Sequence, residues 1–109
     1  MPHIRFRSLS DTQVAMLSKA LPKELATAME TSEDNFTFEL ISTQYFSDGK
    51  ASPSYPFTEV YWFERSQEIK ERSAKIITSK IHEMTQSQDI AVIFVPIQKS
   101  DYFENGKSF

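Results

Sequence analysis

The chain contains no cysteine, which removes disulfides, thiolate metal sites and thiol nucleophiles from consideration. It has two glycines, each in a turn dipeptide, Asp48-Gly49 and Asn105-Gly106. A glycine-rich phosphate loop and the glycine-flanked serine of a nucleophile elbow are therefore excluded. The two histidines, His3 and His82, lie far apart in sequence, and His82 is expected to be solvated on a helix beside Lys80 and Glu83, so no metal site is expected. A basic excess is missing too: 12 Lys and Arg face 15 Asp and Glu, for a net charge of −3, which argues against a nucleic-acid partner. No long apolar run or signal-peptide pattern is found, so no membrane role is expected and the expected compartment is the cytoplasm. The composition, 109 residues at 39% hydrophobic and 13% aromatic, is that of one compact domain with a real core, residues 1–109.

Pro2 is the most informative residue, because the chain reads as built twice and each half begins at a proline. P-H-I-R-F-R-S-L-S-D-T-Q starts at Pro2 and P-F-T-E-V-Y-W-F-E-R-S-Q at Pro56. Each is a strand-like run followed by a serine helix cap. A second strand-like run closes each unit, N-F-T-F-E-L-I from Asn35 and D-I-A-V-I-F-V from Asp89, so prolines and runs share an offset of 54. The pseudo-repeats are 2–46 and 56–98, followed by an aromatic tail over 99–109. Methionine ahead of so small a residue is normally removed. Pro2 would then carry a secondary amine able to act as base or nucleophile, while Pro56 is locked in an amide.

Periodicity gives β-α-β, then β-α-β. The first strand is predicted over His3 to Leu9, followed by a capping box at Ser10-Asp11-Thr12-Gln13 with Leu9 and Val14 as a hydrophobic staple. Val14, Leu17, Leu21, Leu25 and Ala28 predict one helix, kinked at Pro22 and ended by Thr31 to Asn35. Phe36 to Ile41 alternates as a half-buried strand, and Ser47 to Tyr55 reads as a loop joining the halves. In the second half Phe57 to Phe63 alternates. Ser66 then caps a helix with Ile69, Ser73, Ile76, Ile77, Lys80, Ile81 and Met84 on one side. The final strand, Ile90 to Val95, is apolar on both faces and stops at Pro96.

Right-handed crossovers place both helices on one face of a four-stranded mixed sheet, an α+β fold. The opposite face carries Phe57, Tyr61, Phe63, Ile93 and Val95 among His3, Arg5, Arg7, Glu39 and Glu59. Copies of the same face are its simplest cover, which predicts a closed symmetric oligomer.

The terminal proline, the two β-α-β units and the aromatic tail resemble the tautomerase superfamily, whose members include 4-oxalocrotonate tautomerase and macrophage migration inhibitory factor. Within it, M-P-H-I-R-F-R at Met1, E-D-N-F-T-F-E at Glu33, Y-P-F-T-E-V-Y-W-F at Tyr55 and S-D-Y-F-E-N-G at Ser100 resemble an uncharacterised bacterial family. The resemblance implies a homotrimer with sites at subunit boundaries, each built around the amino-terminal proline, which shuttles a proton between carbon and oxygen of a keto–enol pair. No cofactor is implied; the partners are further copies of the chain and a small-molecule substrate. Two family features are missing. Leu9 stands where 4-oxalocrotonate tautomerases have an arginine before the helix start, and Thr31 and Ser32 stand where macrophage migration inhibitory factor has a lysine.

The chemistry asks for a lowered amine pKa. A model α-amino group titrates at about 7.7 to 8.0, and burial or nearby cations must lower a prolyl nitrogen before it is a free base at neutral pH. Arg7 and Arg65 are the candidates for that role and for holding a substrate carboxylate, each set against the alternatives of an ion pair or a solvated helix start. Tyr61, Trp62 and Phe63 are candidate pocket walls, with core packing the favoured role for Trp62 by its parity with Val60. Lys99, Tyr102, Phe103, Asn105 and Phe109 form a tail too aromatic for a free end, as a site cover or as interface packing. Two functional classes follow: a proline-dependent tautomerase acting on a small 2-keto or enol acid, or a non-catalytic trimeric binding or scaffold protein.

Overall fold

The computed structural model describes all 109 residues, Met1–Phe109. The main elements run β1 (His3–Arg7), α1 (Asp11–Met29), β2 (Thr37–Leu40), β3 (Phe46–Ser47), β4 (Lys50–Ala51), β5 (Phe57–Trp62), α2 (Gln67–Thr85), β6 (Ala91–Pro96), β7 (Phe103–Glu104) and β8 (Lys107–Ser108). Four strands form one mixed sheet in the order β2-β1-β5-β6. The two outer pairs are parallel, as the β-α-β crossovers require, and the central β1–β5 pair is antiparallel.

Strand parity decides the two faces. Ile4, Phe6, Val60 and Trp62 point to the helices and join Leu17, Leu21, Leu25, Ile77 and Ile81 in one fully buried cluster. Both helices therefore cover the same face, as expected. The other face carries His3, Arg5, Arg7, Glu59 and Tyr61 on the antiparallel pair, with Glu39 beside Arg5 on β2.

The local signals explain the helix ends. Ser10 and Gln13 form the reciprocal capping box, with Ser10 Oγ accepting from Gln13 N at 3.1 Å and Gln13 Oε1 from Ser10 N at 2.8 Å. Ser66 accepts from Ile69 N in the same way. Pro22 lies inside α1 without ending it. It has no N–H for the Ser18 carbonyl, but Leu21 and Leu25 anchor the turns around it in the core. Lys80 ties the two helices through Glu24 at 3.6 Å.

β2, β5 and β6 shift by one residue at their ends, β6 running on to include Pro96, and three larger differences from the sequence reading stand out. β1 stops at Arg7 rather than Leu9, because Ser8 takes a left-handed φ of 65° that turns the chain into the helix cap. Leu9 still packs against the core cluster containing Val14. The segment expected to be loop, Ser47 to Tyr55, holds the β3–β4 hairpin, turning at Asp48 and Gly49 with φ of 52° and 75°. The tail holds a matching hairpin, β7–β8, turning at Asn105 and Gly106 with φ of 55° and 79°. The two share a motif, Tyr45-Phe46-Ser47-Asp48-Gly49-Lys50 and Tyr102-Phe103-Glu104-Asn105-Gly106-Lys107, at an offset of 57. They share a closing bond as well: Ser52 N donates to Tyr45 O at 2.8 Å, and Phe109 N to Tyr102 O at 3.1 Å. Each unit is thus β-α-β followed by a hairpin.

Candidate active site at the first proline

Pro2 is fully buried at the head of β1. Its carbonyl accepts from Thr37 N at 3.1 Å, and the carbonyl of Pro56 accepts from Ala91 N at 3.0 Å, so the two prolines occupy equivalent places in the two parallel pairs. A cavity of about 450 Å³ opens beside Pro2. Met1, His3 and Arg5 line it from the first strand, and Glu39, Tyr61, Ile97 and Tyr102 complete it.

The electrostatics of this cavity bear on an amine. The terminal ammonium, carried here by Met1, is held below its ordinary pKa, first by burial and then by the charge of Arg65, against an opposing pull from Glu104. Arg65 is itself fixed. Its Nε donates to the Met29 carbonyl at 3.1 Å, its Nη1 to the Phe63 carbonyl at 2.8 Å, and its guanidinium lies 5.1 Å from the Trp62 ring centre. The Met29 carbonyl is one of those left without a partner at the end of α1, so this arginine closes the helix and faces the amine at once. Burial lowers its own pKa, yet an arginine stays charged.

The opposite wall is a chain of charges on the outward sheet face. His3 Nε2 lies 3.0 Å from Glu39 Oε1, and Arg5 Nε lies 2.8 Å from the same oxygen; the Nε–H is not aimed along that direction, so this second contact is a charge pair only. Arg5 Nη1 donates to the Tyr61 hydroxyl at 3.1 Å, which donates in turn to Glu59 Oε2 at 3.3 Å, and Arg7 pairs with Glu59 Oε1. The hydrogen bond from His3, with Arg5 in support, holds the Glu39 carboxyl below the usual carboxylate range. The Tyr61 hydroxyl and the two carboxylates push the Arg5 guanidinium upward.

The residues singled out in the sequence fall in three places. Tyr61 and Tyr102 line the cavity, Pro2 is buried between two of its lining residues, Met1 and His3, and the charge of Arg65 reaches the terminal amine. Tyr102 is braced edge-on by Phe63 and Phe109 at ring separations of 5.4 Å. Phe103 and Asn105 lie on the exposed C-terminal hairpin, outside the cavity of their own chain. Arg7 lies at the far end of β1 and lines a different cavity. Ile97 and the charged trio His3, Arg5 and Glu39 were not picked out for the site. The signal for the trio was there: they share sheet parity with Tyr61, and His3 adjoins Pro2.

The family described as a domain of unknown function, DUF1904, matches residues 1–108. No functionally curated protein matches the chain. A DUF1904 protein from Sebaldella termitidis is 34% identical, with all of both chains covered and a TM-score of 0.92. A protein of unknown function from Vibrio cholerae is 38% identical over 99% of this chain and 87% of its own, with a TM-score of 0.88. Beyond these, a fused 4-OT in an asymmetric trimer is 15% identical over 97% of this chain and 94% of its own, with a TM-score of 0.83. At that identity the likeness shows the fold alone, and that fold is the tautomerase one.

Proposed function

The chain belongs to the DUF1904 family, and from that premise we propose that it is a tautomerase-like isomerase of small 2-keto or enol acids in which Pro2 is the proton carrier. The observation that carries this reading is the environment of the terminal amine, which is partly buried beside a fixed arginine, in a cavity at the head of β1. With Met1 removed, the secondary amine of Pro2 takes over that environment. The unprotonated nitrogen accepts a proton from the enol hydroxyl, and the ammonium formed returns one to the neighbouring carbon, giving the ketone with no net change in the protein. Burial, and after it the charge of Arg65, lowers the pKa of that amine, and Tyr61 and Tyr102 form the walls. In a homotrimer, Phe103 and Asn105 on the projecting hairpin close the cavity of the next subunit.

One observation favours a second reading, in which the same cavity binds without turnover. Both arginines near it already serve the fold, Arg5 paired with the Glu39 carboxylate and bonded to Tyr61 and Arg65 bonded to two carbonyls, so a substrate carboxylate would compete with Glu39 for Arg5. The experiment that separates the two is an activity screen on protein verified by mass spectrometry to begin at Pro2, with phenylpyruvate and 2-hydroxymuconate as substrates. Turnover reduced about 10²- to 10⁴-fold by Pro2→Ala, the usual worth of acid–base catalysis, supports the enzyme. Full activity in that variant, or none in the parent on any keto–enol acid, leaves the binding protein.

A further inference from the structure

The duplication repeats the cavity as well as the fold. A second hollow, of about 250 Å³, lies beside Pro56 and is lined by Arg7, Tyr45, Ser54, Tyr55 and Phe57. Four of these five are the repeat partners of residues at the first cavity: Tyr55 of Met1, Phe57 of His3 and Arg7 of Tyr61 at the strand offset of 54, and Tyr45 of Tyr102 at the hairpin offset of 57. The exchanges change its chemistry. Phe57 replaces an imidazole, Arg7 replaces a phenol, and no carboxylate lines the hollow, whereas Glu39 lines the first. Pro56 is acylated by Tyr55, so no amine base is available.

Arg7 is oriented without being used up. Only its Nη1 is engaged, by Glu59 Oε1, and a guanidinium has five N–H donors, so an open edge remains on the one charged residue at the wall. A cation with a free fork, set among three aromatic rings, is a match for one carboxylate on a single aromatic ring. The volume is smaller than the roughly 300–1,000 Å³ of sites for drug-sized ligands, which limits the occupant to an acid of about that size.

We propose that this hollow is a second binding site on each chain, taking a small aromatic monocarboxylate on Arg7, Tyr45, Tyr55 and Phe57 and holding it without turnover. The site requires no activity at Pro2, so it stands or falls separately from the tautomerase reading. The test is calorimetric titration of the intact protein with 3-phenylpropanoate, which has no keto–enol chemistry. Two equivalents per chain are expected. Tyr45→Ala should weaken one of them about tenfold while leaving the other, and any turnover at Pro2, unchanged. Arg7→Lys, which keeps the charge opposite Glu59 but loses the fork, should weaken the same equivalent. The absence of any equivalent that responds to both substitutions overturns the proposal; so does an equal loss of two equivalents.

Discussion

Arg65 shows how one side chain serves structure and chemistry together. It donates to the last carbonyl of α1, at Met29, and to Phe63 just past β5 while its charge bears on the terminal amine. Arg65→Gln removes the cation, so the amine, the Pro2 nitrogen in processed protein, should become harder to deprotonate. The sign follows from the cause: Arg65 lowers the amine pKa, so its loss raises it and moves the rising limb of the pH–rate profile to higher pH. The same change strips charged hydrogen bonds from two carbonyls, at a cost of about 1 to 3 kcal/mol, visible in the urea midpoint. A variant with lower stability but an unmoved pH profile would reduce Arg65 to a helix cap.

At the scale of elements, the hairpins depend on their glycines. Gly106 has φ of 79°, and a methyl group added there meets nothing within 4 Å, so the cost of Gly106→Ala is conformational alone, about 1 kcal/mol. That should show as faster amide exchange in β7–β8 with little change in the core helices; equal loosening throughout would mean the hairpin is not an independent unit. The strand and helix pattern was legible because parity and the 3.6-residue stripe are set by a single large core. The hairpins were not, although Tyr-Phe and Gly-Lys recur in both. Their offset of 57 departs from the 54 of the strands, and strands of two residues have no periodicity to read. The site was half legible for a related reason. Tyr61 and Tyr102, singled out by position, do line one cavity, but which arginine bears on the amine depends on a turn after β5 that brings Arg65 back over Trp62, and nothing in the local sequence specifies that. Arg7, equal to it on sequence grounds, went to the other cavity.

For the molecule as a whole, the outward sheet face bears on both acid stability and the expected assembly. Glu39 is held below the ordinary carboxylate value, so it contributes stability that is present above the unfolded value of about 4.3 and is lost as pH falls through its folded value. Urea midpoints taken between pH 6 and pH 3 should fall more steeply for the parent than for Glu39→Gln, and parallel curves would refute the linkage. The assembly follows from the rest of the face. Arg5 and Arg7 pair with Glu39 and Glu59 inside one chain, so approaching copies meet no uncompensated charge of one sign. The apolar residues on β6 remain open, with Ile93 40% exposed and Val95 half-buried. A single chain leaves that surface in water, and in the homotrimer proposed above three copies arranged about a common axis would cover it. Light scattering at micromolar concentration should therefore give the mass of a trimer. Ile93→Asp should convert it to monomer, because each burial of that carboxylate would cost several kcal/mol without a partner. A parent protein that is already monomeric, or an Ile93→Asp variant that stays trimeric, would show that the face is not the interface.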